Sequence, residues 1–175
     1  MKLREVDLNC KPRPYCGPTA VAAVTGIPVL RVIKALLRRK KEANRPKDKN
    51  PIAWREYRKW ARCARIKSTG RFELEYVLHK FRRLRLQGYP LTMANPTLEQ
   101  WLATAPRDGG PKPRDRYIVE VTGHWVATQG WFVCDTYSHG KVVPIDKYAR
   151  PKCRVVRVYR VVALDGRRPG TRKLN

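Results

Sequence analysis

Hydrophobic positions follow a helical period through the first two thirds of the chain. Small residues over 17–24 predict a thin, fully buried helix that Gly26 closes. Apolar residues at Val29, Val32, Ile33 and Leu36 share one face of a second helix. The same spacing predicts three more helices, so that the predicted set covers about 17–24, 28–40, 51–65, 71–85 and a short one from Asn95.

Two of these helices carry further expectations. Asn95 is a preferred N-cap and Pro96 suits the first helical position, so the fifth helix is predicted to begin there. Trp54, Tyr57 and Trp60 recur at helical spacing on the third helix and are predicted to pack in the core. Beside arginines, the same aromatic residues also resemble a base-stacking surface, which is the alternative interpretation.

The hydrophobic period changes beyond residue 116. Short runs rich in Val, Tyr and Trp predict strands over 117–121, 125–129, 131–134, 141–145 and 154–163. Helices followed by an antiparallel sheet indicate an α+β fold, and no second hydrophobic core is predicted. We expect one domain over 1–165, with a helical lobe at about 16–105, a β lobe at about 117–163 and a basic tail at 166–175.

Net charge adds a second feature. The 175 residues carry 39 Lys and Arg against 14 Asp and Glu, a net charge of +25. Between Arg31 and Arg85 there are 20 basic and 5 acidic residues, so this segment alone contributes +15, whereas 117–137 contains no Lys or Arg. A polyanion is therefore the expected partner: nucleic acid, an anionic membrane surface or an acidic protein. The basic residues expected to contact it are Arg38, Arg39, Lys40, Lys41, Arg55, Arg58, Lys59, Arg62, Arg82 and Arg83.

Cysteine usage and hydropathy indicate the compartment. Five cysteines cannot all pair within one chain, which favours a reducing environment. The first residues show no apolar signal-peptide core, and no apolar run approaches the length of a membrane span. We therefore expect a cytoplasmic or virion-associated protein. No metal-ligand spacing, phosphate loop or dinucleotide motif is present, so neither a metal nor a cofactor is predicted.

Cys16 stands directly before the small-residue helix. A helix N-terminus favours the thiolate, which is the reactive form of cysteine, and the backbone N–H of Gly17 can contribute to an oxyanion hole. His124 precedes a predicted strand, and Asp135 follows the next strand after a turn at Gly130. A tight hairpin would place Asp135 beside His124, so the three side chains form a candidate nucleophile, base and orienting carboxylate.

The segments Tyr15-Cys16-Gly17-Pro18-Thr19-Ala20, Gly123-His124-Trp125-Val126 and Cys134-Asp135-Thr136 resemble the papain-like cysteine peptidases. The similarity is greatest to their small branches, the bacteriocin-processing type and related phage or bacterial enzymes. It extends to the order of elements over most of the chain. It implies a papain-like fold and a thiol hydrolase of peptide or isopeptide bonds, with Cys16, His124 and Asp135 as the triad and a peptide or protein as substrate.

One position departs from the family pattern. Papain-like enzymes usually carry a Gln about six residues before the nucleophile as a side-chain oxyanion donor, and here that place holds Cys10. Asn9 has the right amide chemistry and is the substitute candidate. Two other functions stay open: an inactive papain-like scaffold serving as a basic, nucleic-acid-associated structural protein such as a virion-internal component, and a transglutaminase or arylamine acetyltransferase relative.

Overall fold

The structure, a computed structural model, describes residues 2–9, 15–47, 49–63 and 69–164. Five α-helices lie within these ranges: α1 (Cys16–Thr25), α2 (Val29–Ala43), α3 (Pro51–Cys63), α4 (Arg71–Arg82) and α5 (Leu98–Ala103). Gly26 closes α1 in the left-handed conformation at φ 70° and donates its N–H to the carbonyl of Ala22, as the sequence predicts. The basic tail 166–175 lies outside the described residues.

Six strands form one antiparallel sheet: β1 (Leu84–Tyr89), β2 (Tyr117–Val121), β3 (His124–Gln129), β4 (Phe132–Cys134), β5 (Val143–Pro144) and β6 (Val155–Ala163). Their spatial order is β1-β6-β2-β3-β4-β5, and every neighbouring pair is antiparallel. Helices and an antiparallel sheet make this an α+β protein, which confirms the predicted class.

The sheet is covered on both faces by apolar side chains. One cluster joins α1, α2 and α4 to residues such as Ile118, Ala127 and Val161 on one side of the strands. A second cluster places Leu98 and Trp101 of α5 against strand residues on the opposite side, such as Val119. The prediction of no second hydrophobic core was therefore wrong, because alternate residues of β2 and β3 point to opposite faces and both faces are covered.

The segment after α4 corrects the predicted boundary between a helical and a β lobe. Helix α4 ends at Arg82, not at Arg85, since Arg83 adopts the left-handed conformation at φ 51°. Strand β1 follows at once and pairs with β6. A strand that the sequence reasoning did not predict therefore lies inside the expected helical lobe and forms one edge of the sheet.

Two further boundaries differ from expectation. Helix α5 is capped by Thr97, not Asn95: the Thr97 hydroxyl accepts from the Gln100 N–H at 3.2 Å, and the Gln100 side chain accepts from the Thr97 N–H at 2.9 Å. The fourth predicted strand is reduced to the two residues of β5, followed by a 3-10 turn over Ile145–Lys147.

Helix α3 is not part of the core. Trp54, Tyr57 and Trp60 are half-buried, and no residue of α3 with a described side chain is fully buried. The prediction that this aromatic row packs in the core was therefore wrong. No helix within the described part of the chain is both long enough and apolar enough to cross a membrane.

Candidate active site

Cys16 is the first residue of α1, where the helix is buried from its second residue onward. The small side chains over 17–25 let this helix pack against β3 and place the thiol at the rim of the sheet. Gly17 is required there, because a Cβ at this position would lie 1.8 Å from the Thr69 hydroxyl oxygen. The nucleophile candidate is thus held between the sheet and the residues that lead into α4.

His124 and Asp135 meet through the β3–β4 hairpin, as the sequence predicts. Gly130 turns the hairpin at φ 54°, and Ala127 pairs with Cys134 across it. His124 Nε2 and Asp135 Oδ2 are 2.6 Å apart, with the histidine 8% and the aspartate 0% exposed. Since Nε2 faces the carboxylate, Nδ1 is the ring nitrogen left for the thiol.

The carboxylate of Asp135 is held by two further donors. Tyr148, which follows the 3-10 turn, donates its hydroxyl to Asp135 Oδ2 at 2.5 Å. The backbone N–H of Ser138 donates to Oδ1 at 2.8 Å, and the Ser138 hydroxyl in turn accepts from the Asp135 N–H at 3.0 Å. A buried carboxylate with three partners is fixed in orientation, and it fixes the imidazole beside it.

The electrostatics of the thiol and the imidazole favour an ion pair. Burial alone would raise the pKa of Cys16, but hydrogen bonds from the His124 ring and the N–H groups of Trp125 and Gly17 outweigh it and leave that pKa below its usual value. Burial lowers the pKa of His124, whereas Asp135 and Cys16 raise it, with a net result of about 9. A lowered thiol pKa beside a raised imidazole pKa shifts the pair toward thiolate and imidazolium.

The surroundings of Cys134 and Cys153 differ from those of Cys16. Burial raises the pKa of Cys134 to about 12, and burial also raises the pKa of Cys153. Cys134 belongs to the core cluster that also contains α1. Of these three cysteines, Cys16 alone has the environment of a nucleophile.

An aromatic side chain covers the outer side of the imidazole. The rings of His124 and Tyr137 lie 4.7 Å apart between centroids, and the guanidinium of Arg150 lies 4.7 Å above the Tyr137 ring. Tyr137 is 45% exposed, so it forms part of the surface at the site. The two rings are inclined at 59°, so Tyr137 contacts the imidazole at a tilt.

Of the two oxyanion candidates, the structure places Gly17 at the Cys16 sulfur but gives no contact of the Asn9 side chain with the described residues of the site. The N–H of Gly17 lies beside the Cys16 sulfur, as stated above. Asn9 is exposed, and its backbone N–H donates to Asp7 Oδ1 at 2.9 Å. Cys10, which occupies the usual Gln position, lies outside the described residues, so a role for Asn9 stays a prediction.

The structure divides the ten basic candidates among three helices. Four lie on the last turns of α2, four on α3, and Arg82 and Arg83 at the end of α4. All but three are well exposed, the half-buried ones being Arg39, Lys40 and Lys41. Arg39 lies 4.5 Å above the Tyr76 ring and donates to the Phe72 carbonyl at 2.9 Å, so it also ties α2 to α4.

No group of three or more His, Cys, Asp or Glu side chains in the described ranges could hold a metal ion. The arrangement at Cys16 is instead suited to nucleophilic chemistry by a thiolate, with an imidazole as proton carrier.

Sequence reasoning missed Tyr148, Tyr137 and Thr69. Tyr148 reaches Asp135 only because β5 is short and the 3-10 turn folds back. Tyr137 follows Asp135 by two residues in the turn that leads to Gly140, so its proximity to the hairpin was the one available signal. Thr69 contacts Gly17 across 52 positions of sequence, which no local pattern indicates.

Comparison of the chain with family models, with curated proteins and with solved structures finds no match.

Proposed function

We propose that the protein is a papain-like thiol hydrolase that cleaves a peptide or isopeptide bond through Cys16, His124 and Asp135. The observation that carries the proposal is the line of hydrogen-bonded groups from the thiol at the start of α1 through the buried imidazole to a fully buried carboxylate, with 2.6 Å between His124 Nε2 and Asp135 Oδ2. A triad of this kind requires a nucleophile, a base and an orienting group, and Cys16, His124 and Asp135 are the candidates for these roles.

In the proposed reaction, His124 Nδ1 takes the proton of Cys16, and the sulfur attacks the carbonyl carbon of the scissile bond. The N–H of Gly17 stabilises the oxyanion. His124 then gives its proton to the leaving amine, and a thioester remains on Cys16. Water attacks this thioester, losing a proton to His124, so the carboxylic acid is released and the thiol is restored. An amine in place of water would make the same site a transferase.

The assignment to the papain-like fold is supported by the order of elements and by the position of each group. The nucleophile begins a buried helix, the base begins a strand, and the carboxylate follows the neighbouring strand. In sequence, the segments Cys16-Gly17-Pro18 and Gly123-His124 resemble those of papain-like cysteine peptidases. The fold assignment is tested by an experimental structure compared with papain-like enzymes.

The chemical test is the alkylation rate of Cys16 by iodoacetamide near neutral pH, followed by mass spectrometry of the labelled peptide. An ordinary thiol is ionised only to a few per cent at about pH 7, so we expect His124→Ala to slow the labelling of Cys16 about tenfold. His79→Ala is the matched control, because His79 is exposed on α4. Equal labelling rates in the wild type and His124→Ala would refute an activated thiolate.

Attack of Cys16 on a bound peptide is tested separately. The probe is a peptide in which a group that forms a stable bond to sulfur replaces the scissile carbonyl. A stable adduct on Cys16 that Cys16→Ser abolishes supports the hydrolase. An activated thiol that forms no adduct with any peptide, together with tight nucleic-acid binding that Cys16→Ser leaves unchanged, supports the second candidate, the structural protein on a papain-like scaffold. The specific observation in favour of that candidate is the net charge of +25.

A further inference from the structure

A groove lies between the last turns of α2 and the start of α3, away from the triad. Its volume is about 490 Å³, within the range of small-ligand sites. Cationic side chains line it from α2 and from the segment that follows, and aromatic side chains line it from α3: Lys34, Arg38, Lys41, Arg45, Trp54 and Tyr57. We define these six residues as the cationic-aromatic groove.

The groove is built by specific contacts between its two walls. The Tyr57 hydroxyl donates to the Lys41 carbonyl at 3.0 Å. The Arg45 guanidinium lies 5.2 Å from the centre of the Trp54 ring. Tyr57 continues the aromatic row, with its ring centroid 5.8 Å from Trp54 on one side and 5.8 Å from Trp60 on the other. The groove is therefore lined by cationic side chains and by half-buried aromatic rings, with Arg45 packed against the Trp54 ring.

The local charge is strongly positive. From Arg31 to Arg62 there are 13 Lys and Arg against 3 Asp and Glu, a net +10. Glu42 also lines the groove, but it is paired with Arg38 at 2.7 Å. An occupant of this surface must therefore be an anion, and it must also present flat faces to the aromatic row.

We propose that the cationic-aromatic groove binds single-stranded nucleic acid, with phosphates on the cations of α2 and bases stacked along the aromatic row of α3. Single strands offer both chemistries at once, since unpaired bases expose their faces and every residue carries a phosphate. From Trp54 to Trp60, which lies just beyond the groove, the aromatic row rises about 9 Å along α3, which is long enough for about two or three stacked bases. The interaction is independent of sequence, because phosphates and ring faces carry little base identity.

A duplex and a membrane fit this arrangement less well. Paired bases are stacked on one another and present no free faces to Tyr57 or Trp60. An interfacial helix sinks its aromatic face into the acyl boundary while its cations stay at the headgroups. Here the guanidinium of Arg45 lies over the Trp54 ring, so insertion of that ring would carry the Arg45 cation into the apolar layer.

The test measures binding of a fluorescein-labelled oligothymidylate of about 12 nucleotides by the full chain, beside a duplex of the same length and vesicles that contain phosphatidylserine. We expect Trp60→Ala to weaken binding to the single strand by about fivefold to a hundredfold while duplex binding changes little. We expect Lys41→Ala to weaken both, and to lower the slope of log affinity against log salt by about 0.7 for the single strand.

Lys112→Ala is the matched control, because it also removes one lysine charge and its exposed side chain lies outside the groove. It should leave the preference for the single strand unchanged. Equal loss of affinity in this control and in Lys41→Ala, or no effect of Trp60→Ala on the oligonucleotide, would overturn the proposal. Vesicle binding that Trp60→Ala abolishes, with oligonucleotide binding retained, would assign the surface to membranes instead. Circular dichroism of Trp60→Ala checks that α3 still folds, and Tyr57→Phe, which keeps the ring, should retain stacking.

Discussion

Gly17→Ala should displace the wall of the candidate site. An added Cβ would lie 1.8 Å from the Thr69 hydroxyl oxygen, 2.9 Å from the Thr69 Cβ and 3.1 Å from Leu74 Cδ2, whereas ordinary contacts begin near 3.4 Å. Thr69 cannot move freely, because its carbonyl accepts the indole N–H of Trp125 at 2.9 Å. Overpacking of this kind costs about 1–3 kcal/mol of the free energy of unfolding.

For a chain of this size that cost corresponds to a fall in Tm of about 2–12 °C, measured by thermal unfolding. Because Gly17 directly follows the nucleophile, the rate of Cys16 alkylation should fall as well. Gly88→Ala is the matched control: a Cβ there meets nothing within 4 Å, and Gly88 does not adopt a positive φ. That substitution should be neutral or stabilising by up to about 1 kcal/mol.

A double variant separates this steric contact from a general effect of alanine on α1. Gly17→Ala with Thr69→Gly removes both Thr69 atoms that the new Cβ would meet. We expect the double variant to be more stable than the sum of the single changes by about 1–3 kcal/mol, with Cys16 alkylation partly restored. Strict additivity, or a Gly17→Ala variant as stable as Gly88→Ala, would refute the proposed contact.

Two other predictions concern the buried polar groups of the site. Tyr148→Phe removes a donor to Asp135 and should cost about 1.5–3 kcal/mol of stability, which urea unfolding measures; equal stability of the variant and the wild type would contradict it. Because the folded-state pKa of His124 is raised to about 9, its contribution to stability is complete below about pH 6.5 and is lost as the pH rises through about 9. Urea unfolding of the wild type at the two pH values, compared with His124→Gln, measures it, and an identical pH dependence in that variant would argue against the shift.

The hairpin that joins His124 to Asp135 was predictable because its determinants are local. Apolar strands flank Gly130, and the turn fixes the register that places Cys134 opposite Ala127. Tyr148 was not predictable, since it reaches the same carboxylate only through the fold of the 3-10 turn after β5. Contacts of this kind depend on where a strand ends within an apolar run, and the hydrophobic period does not determine that position.

Strand β1 shows a different limit. Leu84 continues the helical stripe of Leu78 and Phe81, and it also begins an alternation with Leu86. Both periods fit the same residue, so the pattern could not place the boundary. The left-handed conformation of Arg83 ends the helix. Pairing with β6 then stabilises the extended conformation relative to a helix.

Helix α3 shows that periodicity identifies which side chains share a face without stating what covers that face. The aromatic residues at 54, 57 and 60 do share one, as predicted, yet each of them is only half-buried. Helix α2 is also rich in basic residues and still buries its apolar stripe, so the charge on the opposite side does not determine which helix enters the core.

The positive charge is concentrated on helices that carry no member of the candidate triad. The causes that lower the pKa of Cys16 are His124 and the N–H groups of Trp125 and Gly17, and no lysine or arginine is among them. The thiolate is therefore stabilised by its immediate neighbours, which salt screens little, whereas attraction of a polyanion by exposed side chains falls steeply with salt. A net charge of +25 far exceeds what solubility requires. The charge is concentrated on α2 and α3 beside half-buried aromatic rings, and that helical surface is where we expect a polyanionic partner to bind.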